Sequence, residues 1–292
     1  MYVITGSSGA LFGRPVLGQL RRLAPGARIV AGTRDPGSAA ELAATGAEVR
    51  RVDFDDPASL PAAFAGVTSV LINGTNYGTP AERRGPQHAA AIGAAVEAGV
   101  PRIVYATWPD PDLFALPTMA DFATSEALLR HLSADATILR TTYGLAQTAS
   151  RDVTTAIATG TLAAPAGQAR TAPAHMDDLA EATARVLASD GHRGQLYTLT
   201  ASDSIDWADL AGLAAAISGK PVEYQPVADD EFSAAAVAQG FPASLVAILV
   251  GVYQAFRAGW TGTPTSDLAA ILGRAPRSAI DAVSAVVRTP GT

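Results

Sequence analysis

Thr5-Gly6-Ser7-Ser8-Gly9-Ala10-Leu11-Phe12-Gly13-Arg14 follows a short β-rich run, Val3–Thr5, and opens a segment with helical character, Arg14–Leu23. Glycines at this junction permit a tight turn and let the backbone approach a pyrophosphate. The start of the helix then presents free N–H groups and a positive dipole end to the phosphates. Pro15 suits an early helical position, where its missing N–H has no partner to lose. A glycine-rich turn that binds nothing would explain these ten residues alone. The strand before them, the helix after and five further strand–helix units favour a bound dinucleotide, with Gly6, Ser8, Gly9, Leu11, Phe12 and Gly13 as its loop contacts.

Working outward, Arg28–Gly32, Glu48–Val52, Ser69–Asn73, Arg102–Ala106 and Thr137–Arg140 read as further strands. None shows polar alternation, as expected of parallel strands covered on both faces. Helical patterns lie between them near Ser38–Thr45, Pro57–Phe64, Ala81–Ala98 and Met119–Leu132. This alternation predicts an α/β fold, a Rossmann-like doubly wound parallel sheet with right-handed crossovers, over residues 1–145. Beyond residue 145 the alternation breaks down. Helices are expected near Thr148–Thr159, Asp178–Ser189, Trp207–Ser218, Asp229–Gln239, Leu245–Ala258 and Ser278–Val287, joined by short strands near Ala169–Ala174, Leu196–Leu199 and Val222–Tyr224. Residues 146–292 therefore read as a smaller, mostly helical substrate lobe on the carboxyl edge of the sheet, where open α/β folds bind ligands. No Gly/Ser linker separates the halves, so one compact unit is expected.

The 292 residues are 48 % hydrophobic, enough for a sizeable core. Lys and Arg number 21 against 27 Asp and Glu, a formal net charge of −6. Mild acidity argues against nucleic acid, which requires a concentrated basic face. The absence of cysteine excludes disulfides, thiolate chemistry and cysteine-based zinc sites. No basic n-region precedes an apolar stretch at the N-terminus, so no signal peptide is expected and the protein reads as cytoplasmic. The longest apolar run, Ala243–Val252, falls short of the roughly 20 residues a membrane helix needs, so no membrane partner is expected. The sequence leaves the oligomeric state open, a homodimer included.

Arg34 ends the second strand, where an NAD-binding protein carries an acidic residue for the ribose 2′-hydroxyl. An arginine suits the 2′-phosphate of NADP instead, so NADP(H) is favoured over NAD(H); the alternative is a surface arginine paired with Asp35. After the third strand, Asp53 and Phe54 lie where the adenine would rest. Asp53 reads equally as an adenine contact or as loop structure, and Asp56 as the cap of the helix that starts at Pro57. Asn73-Gly74-Thr75 and Thr107-Trp108 end the fourth and fifth strands at the same edge, along the expected nicotinamide half.

With these stretches assembled, the sequence resembles the atypical short-chain dehydrogenase/reductases, and within them the NmrA-like group with its type-2 NAD(P)H:quinone oxidoreductases. The likeness includes Gly32-Thr33-Arg34-Asp35-Pro36, Ala98-Gly99-Val100-Pro101-Arg102-Ile103-Val104-Tyr105, His175-Met176-Asp177-Asp178-Leu179-Ala180 and Leu272-Gly273-Arg274-Ala275-Pro276-Arg277-Ser278. It implies NADP(H) at the glycine loop and Arg34, and a substrate pocket roofed by the C-terminal lobe. Its quinone reductases imply hydride transfer to a small quinone; other members imply cofactor sensing without turnover. Three departures stand out. Phe12 occupies the place of the third glycine of GxxGxxG, and Gly13 follows one residue later. Phe122 and Ala127 stand where relatives carry a His and a Lys, and the Tyr-x-x-x-Lys pair of ordinary members is absent. The stretch after Arg140, Thr141-Thr142-Tyr143-Gly144-Leu145, is less polar and aromatic than its counterpart in the quinone reductases.

Hydride transfer needs a placed nicotinamide and an acceptor held against it. A ketone also needs a positioned acid, a quinone or conjugated carbonyl less so, because its charge is delocalised. The sequence therefore points to an NADPH-dependent reductase of a quinone or conjugated carbonyl, with secondary metabolism as one setting. The alternative is a non-catalytic NADP(H) sensor of the NmrA type. Tyr143 is the candidate proton donor. Tyr77, Trp108 and His175 are candidate substrate-pocket residues, with pocket wall or core as the plainer reading of Tyr77 and Trp108. The four histidines are far apart and no H-E-x-x-H occurs, so no metal site is expected.

Overall fold

The computed structural model describes residues 1–75, 79–111 and 120–288. The strands in chain order are β1 (Tyr2–Ile4), β2 (Ile29–Thr33), β3 (Glu48–Arg51), β4 (Ser69–Asn73), β5 (Arg102–Thr107), β6 (Thr137–Thr141), β7 (Thr161–Ala164), β8 (Arg170–Thr171), β9 (Leu196–Leu199), β10 (Ile205–Asp206) and β11 (Glu223–Pro226). Seven of them form one sheet in the order β3-β2-β1-β4-β5-β6-β9, with every pair parallel. The chain starts in the middle of the sheet, winds to one edge, then returns to build the other. The reversal falls between β1 and β4, and crevices open at the carboxyl ends of strands at such a point.

Successive strand residues face opposite sides of the sheet, and the core divides accordingly. Ile4, Ala31, Leu71, Val104 and Leu139 pack under α1 (Gly13–Leu23), α2 (Ala40–Ala44), α7 (Met176–Ala188) and α11 (Asp267–Leu272). Val3, Val30, Val70, Ile103 and Ile138 pack under α3 (Leu60–Phe64), α4 (Ala81–Glu97) and α5 (Ala120–Leu132). This two-sided burial explains the continuous apolar strands. Beyond residue 145 the α/β alternation resumes once: α7 and β9 complete the sheet layer. The expected strand near Ala169–Ala174 is only two residues long, paired with β10, which together with β7 and α11 had no clear sequence signal.

The remaining helices, α6 (Leu145–Thr159), α8 (Trp207–Ser218), α9 (Asp229–Ala238), α10 (Ala243–Arg257) and α12 (Ala279–Arg288), gather around a third core with Trp207, Phe256 and Trp260 at its centre. Tyr143 packs against this core and against the α1–α7 side of the sheet, and so marks the seam between the two layers. A buried, two-pronged ion pair joins α4 to α5: Arg84 Nε and Nη2 donate to the Asp121 carboxylate at 2.6 and 2.7 Å, with Arg84 lying over the Phe122 ring. Among the described residues no helix is long and apolar enough to cross a membrane.

Candidate functional site

A cleft of about 440 Å³ opens at the carboxyl ends of β1, β2 and β4. The glycine loop forms its floor. Gly6 has φ +61°, a left-handed conformation that favours glycine. Gly13 is the first residue of α1, and a Cβ there would lie 2.2 Å from the Gly6 carbonyl oxygen. Gly13 therefore provides the close approach of helix to loop despite its one-residue displacement. The extra residue is absorbed by Phe12, which turns inward, is 2 % exposed and stacks on Tyr143 with ring centroids 5.4 Å apart. Tyr143 also meets Trp108 edge-on, and Trp108 lies flat on Trp260 at 5.5 Å.

No side chain caps α1. Arg14 N–H bonds the Gly9 carbonyl, whereas the N–H groups of Ala10, Leu11, Phe12 and Gly13 have no partner among the described residues. A helix start with free donors and no acidic residue in its first turn is built for an anion. At the far wall the Asn73 N–H donates to Thr5 Oγ1 at 2.9 Å, while Asn73 Oδ1 and Thr75 Oγ1 are buried without a partner. Thr107 Oγ1, at the end of β5, is likewise buried and unpartnered. Such groups cost free energy unless something polar meets them.

Arg34 lines the mouth of the cleft, exposed and without an ion pair among the described residues. Its sequence neighbour does not claim it: the Asp35 carboxylate accepts from Gly37 N–H at 3.0 Å and caps a one-turn 3₁₀ helix. The carboxylate that does reach the cleft is Asp55. It accepts from Arg83 at 2.9 and 2.6 Å and from Gln87 Nε2 at 2.7 Å, and these hydrogen bonds lower its pKa. Asp53 is turned away, accepting from Asp55 N–H and pairing with Arg51 at 3.1 Å. Asp56 does not cap the following helix; its carboxylate accepts from Arg51 instead.

Of the residues expected at a dinucleotide, Gly6, Ser8, Gly9, Leu11, Phe12, Gly13, Arg34, Phe54, Asn73, Gly74 and Thr75 line this one cleft, together with Tyr143. Asp53 does not, and Thr107 and Trp108 stand behind its wall. Tyr77 lies outside the described residues. His175 has a different task from the expected approach to the cleft. Its ring Nδ1 accepts from Asp177 N–H at 3.2 Å and so caps α7, with Arg277 3.3 Å away. Burial and the Arg277 charge hold its pKa below the ordinary value. Asp178, in the first turn of this helix, is fully buried and binds Arg274 and Arg277.

Two contributors were not legible in advance. Gln87 comes from α4, and no local pattern distinguishes it from a surface glutamine. His88 sits fully buried directly beneath the Thr75 segment. Thr75 N–H donates to its Nε2 at 2.9 Å, so the ring proton resides on Nδ1, facing Ser125 Oγ at 3.1 Å and Tyr105 Oη at 3.0 Å. Ser125 Oγ in turn donates to the Asp121 carbonyl, which leaves it as acceptor for the imidazole. Burial lowers the His88 pKa to about 4, so the ring is neutral and structural at physiological pH. Among the described residues no group of three His, Asp or Glu side chains could hold a metal ion.

Residues 2–261 match the NmrA-like family. The chain belongs to that family. This NmrA-like chain is 31 % identical over 285 residues to quinone oxidoreductase 2 of Escherichia coli, covering 97 % of this chain and 98 % of the relative. Its fold superposes on the NADPH-dependent quinone oxidoreductase of Escherichia coli complexed with NADPH, at a TM-score of 0.89 and 30 % identity over 98 % of this chain and 99 % of the other. Triphenylmethane reductase of Citrobacter sp., complexed with NADP(H), superposes with the same TM-score at 27 % identity over 99 % of both chains.

Proposed function

We propose that this protein is an NADPH-dependent reductase that delivers hydride to a quinone or conjugated carbonyl compound. The observation that carries the reading is the cleft itself. Helix N–H groups, Arg34 and the Asn73 and Thr75 oxygens, all without a partner among the described residues, converge in one crevice, each matching a part of a phosphorylated dinucleotide. The solved NADPH and NADP(H) complexes of two relatives with this fold support the same cofactor.

When bound, NADPH supplies the hydride; with one added proton a quinone becomes its hydroquinone and NADP⁺ is left. The chain's own part is binding and orientation. The α1 start would hold the pyrophosphate, and Arg34 would take the 2′-phosphate by charge-assisted hydrogen bonds. Asn73 and Thr75 would face the nicotinamide end, and Tyr143, stacked on the buried Phe12, would offer an aromatic surface to a planar acceptor. Tyr143 is the proton donor of this reading. A delocalised acceptor tolerates the absence of a Tyr-x-x-x-Lys pair because its developing charge is spread over the ring.

The deciding experiment is NADPH oxidation by the purified protein with small quinones and enones added and omitted. Acceptor-dependent turnover is expected; NADPH binding with no turnover across the panel would favour an NADP(H) sensor. Tyr143→Phe should lower kcat while leaving NADPH affinity unchanged, and an unaltered kcat would remove Tyr143 from the chemistry.

A further inference from the structure

A second cavity, of about 320 Å³, lies in the helical lobe between α6, α9 and α10 and shares no lining residue with the dinucleotide cleft. One wall is polar. It carries Thr148, Asp152 and Thr155 from α6, with Arg151 beside them. Phe232, Phe241 and Tyr253 add aromatic surface, with Glu231 and Gln239 on the α9 side. Phe232 and Tyr253 meet edge-to-face at 5.2 Å and so form one continuous aromatic surface.

Asp152 is the chemical centre. Its Oδ2 accepts from Trp207 Nε1 at 2.7 Å and from Tyr253 Oη at 2.8 Å, whereas Oδ1 accepts only from Tyr253, at 2.7 Å. A carboxylate has about four acceptor positions, and two donors leave Oδ1 able to take another. The groups that hold Asp152 belong to two other helices, so its orientation is set by the lobe's packing and does not depend on a bound partner. We infer that this cavity is a second small-molecule site, which binds a two-ring aromatic compound through a hydroxyl donated to Asp152 Oδ1. Several features select that class. The volume is at the lower end of ligand sites, about 300–1,000 Å³. The aromatic walls favour a planar apolar body. Asp152 Oδ1 has an acceptor position left to fill, and a single hydroxyl fills it.

The test uses the full chain saturated with NADP⁺ and titrated calorimetrically with 1-naphthol and, separately, with 1-methoxynaphthalene, which keeps the rings and lacks the donor. Wild type should bind the naphthol about tenfold or more tighter than the ether, the worth of a hydrogen bond to a charged acceptor. Asp152→Leu, which keeps the bulk and has no acceptor, should abolish that preference. Ala235→Trp, on the exposed side of α9 at the cavity lining, should block both ligands without changing NADP⁺ affinity. Equal binding of the two compounds by wild type, no binding of either, or naphthol binding untouched by Ala235→Trp would each overturn the assignment. These readouts do not depend on turnover, so a failure here leaves the reductase proposal standing, and the reverse holds as well.

Discussion

Gly6, Gly9 and Gly13 leave the floor of the dinucleotide cleft as bare backbone, with N–H groups as its functional atoms. The lobe cavity is walled by side chains, with a carboxylate held by a tyrosine and a tryptophan from two other helices. The first site tolerates no added atom at its tightest point, because the opposing atom is backbone and cannot rotate away. At the second site the lining atoms are side chains, so a substitution on its exposed α9 side, such as Ala235→Trp, should alter affinity without unmaking the fold. Rigidity and adaptability are thus divided between the two layers of the molecule, and the Phe12–Tyr143–Trp108–Trp260 stack is the contact between them.

The sharpest way to break this contrast is Gly13→Ala. The new Cβ would sit 2.2 Å from the Gly6 carbonyl, so the loop must move. A loss of about 3 kcal/mol or more in denaturant unfolding is expected, together with loss of NADPH binding in a fluorescence titration. Normal binding by a normally stable variant would show that the loop is not held by backbone contact.

Titration gives the next largest effect, and the two layers answer with opposite sign. His88, under the cleft and beside Asp121 and Arg84, has a folded pKa of about 4 against 6.5 ordinarily. Its contribution is present above pH 6.5 and is lost as pH falls through 4. Asp152, in the lobe among Tyr253, Trp207 and Arg151, is raised by burial from 3.8 to about 6. Its contribution is present below pH 3.8 and is lost as pH rises through 6. Each is worth about 3 kcal/mol over its window. Relative to wild type, Asp152→Asn should therefore steepen the stability lost on acidification from pH 6.5 to 4, and His88→Gln should flatten it. Parallel pH profiles for all three proteins, measured by urea unfolding, would contradict both assignments.

Arg34→Ala should weaken NADPH by about ten- to hundredfold and leave NADH nearly unchanged, the signature of a lost charge-assisted contact to the 2′-phosphate. Equal losses for both nucleotides in parallel titrations would place Arg34 elsewhere. The smallest effect is Gly18→Ala in the middle of α1, where a Cβ meets nothing within 4 Å. A gain of about 0.5–1 kcal/mol is expected from helix propensity alone, read as a higher Tm. The opposite outcomes at Gly13 and Gly18, five residues apart on one helix, separate a glycine required by contact from one that is merely present.

Legibility in the sequence followed the same division. The strand β4 (Ser69–Asn73) and the helix α8 (Trp207–Ser218) lie where the apolar pattern put them, because burial on both faces or on one stripe leaves a periodic trace. The loop residues and Arg34 line one cleft because a strand–loop–helix junction sets residues at fixed offsets along one edge of the sheet. Asp53 reads in the sequence as an adenine contact or as loop structure, yet Asp55 is the one that faces the cleft, since residues in a turn differ only in the direction each side chain takes. His175 was expected to approach substrate from its place before a helix; that same place made it a cap. Gln87, His88 and Asp152 give no local signal, because their roles depend on neighbours 13 to 101 residues away.

By itself the sequence determined the parallel α/β sheet, the position of its crevice and the backbone-built floor of that crevice, since periodicity and glycine stereochemistry are local constraints written in consecutive residues. Tertiary structure alone decided that Gly13 takes over the third-glycine contact while Phe12 swings onto Tyr143. It alone decided which acid faces the cleft, and that a carboxylate in the lobe keeps an open acceptor beside a cavity. Those outcomes depend on which helices meet and at what distance, and packing between remote segments leaves no periodic mark along the chain.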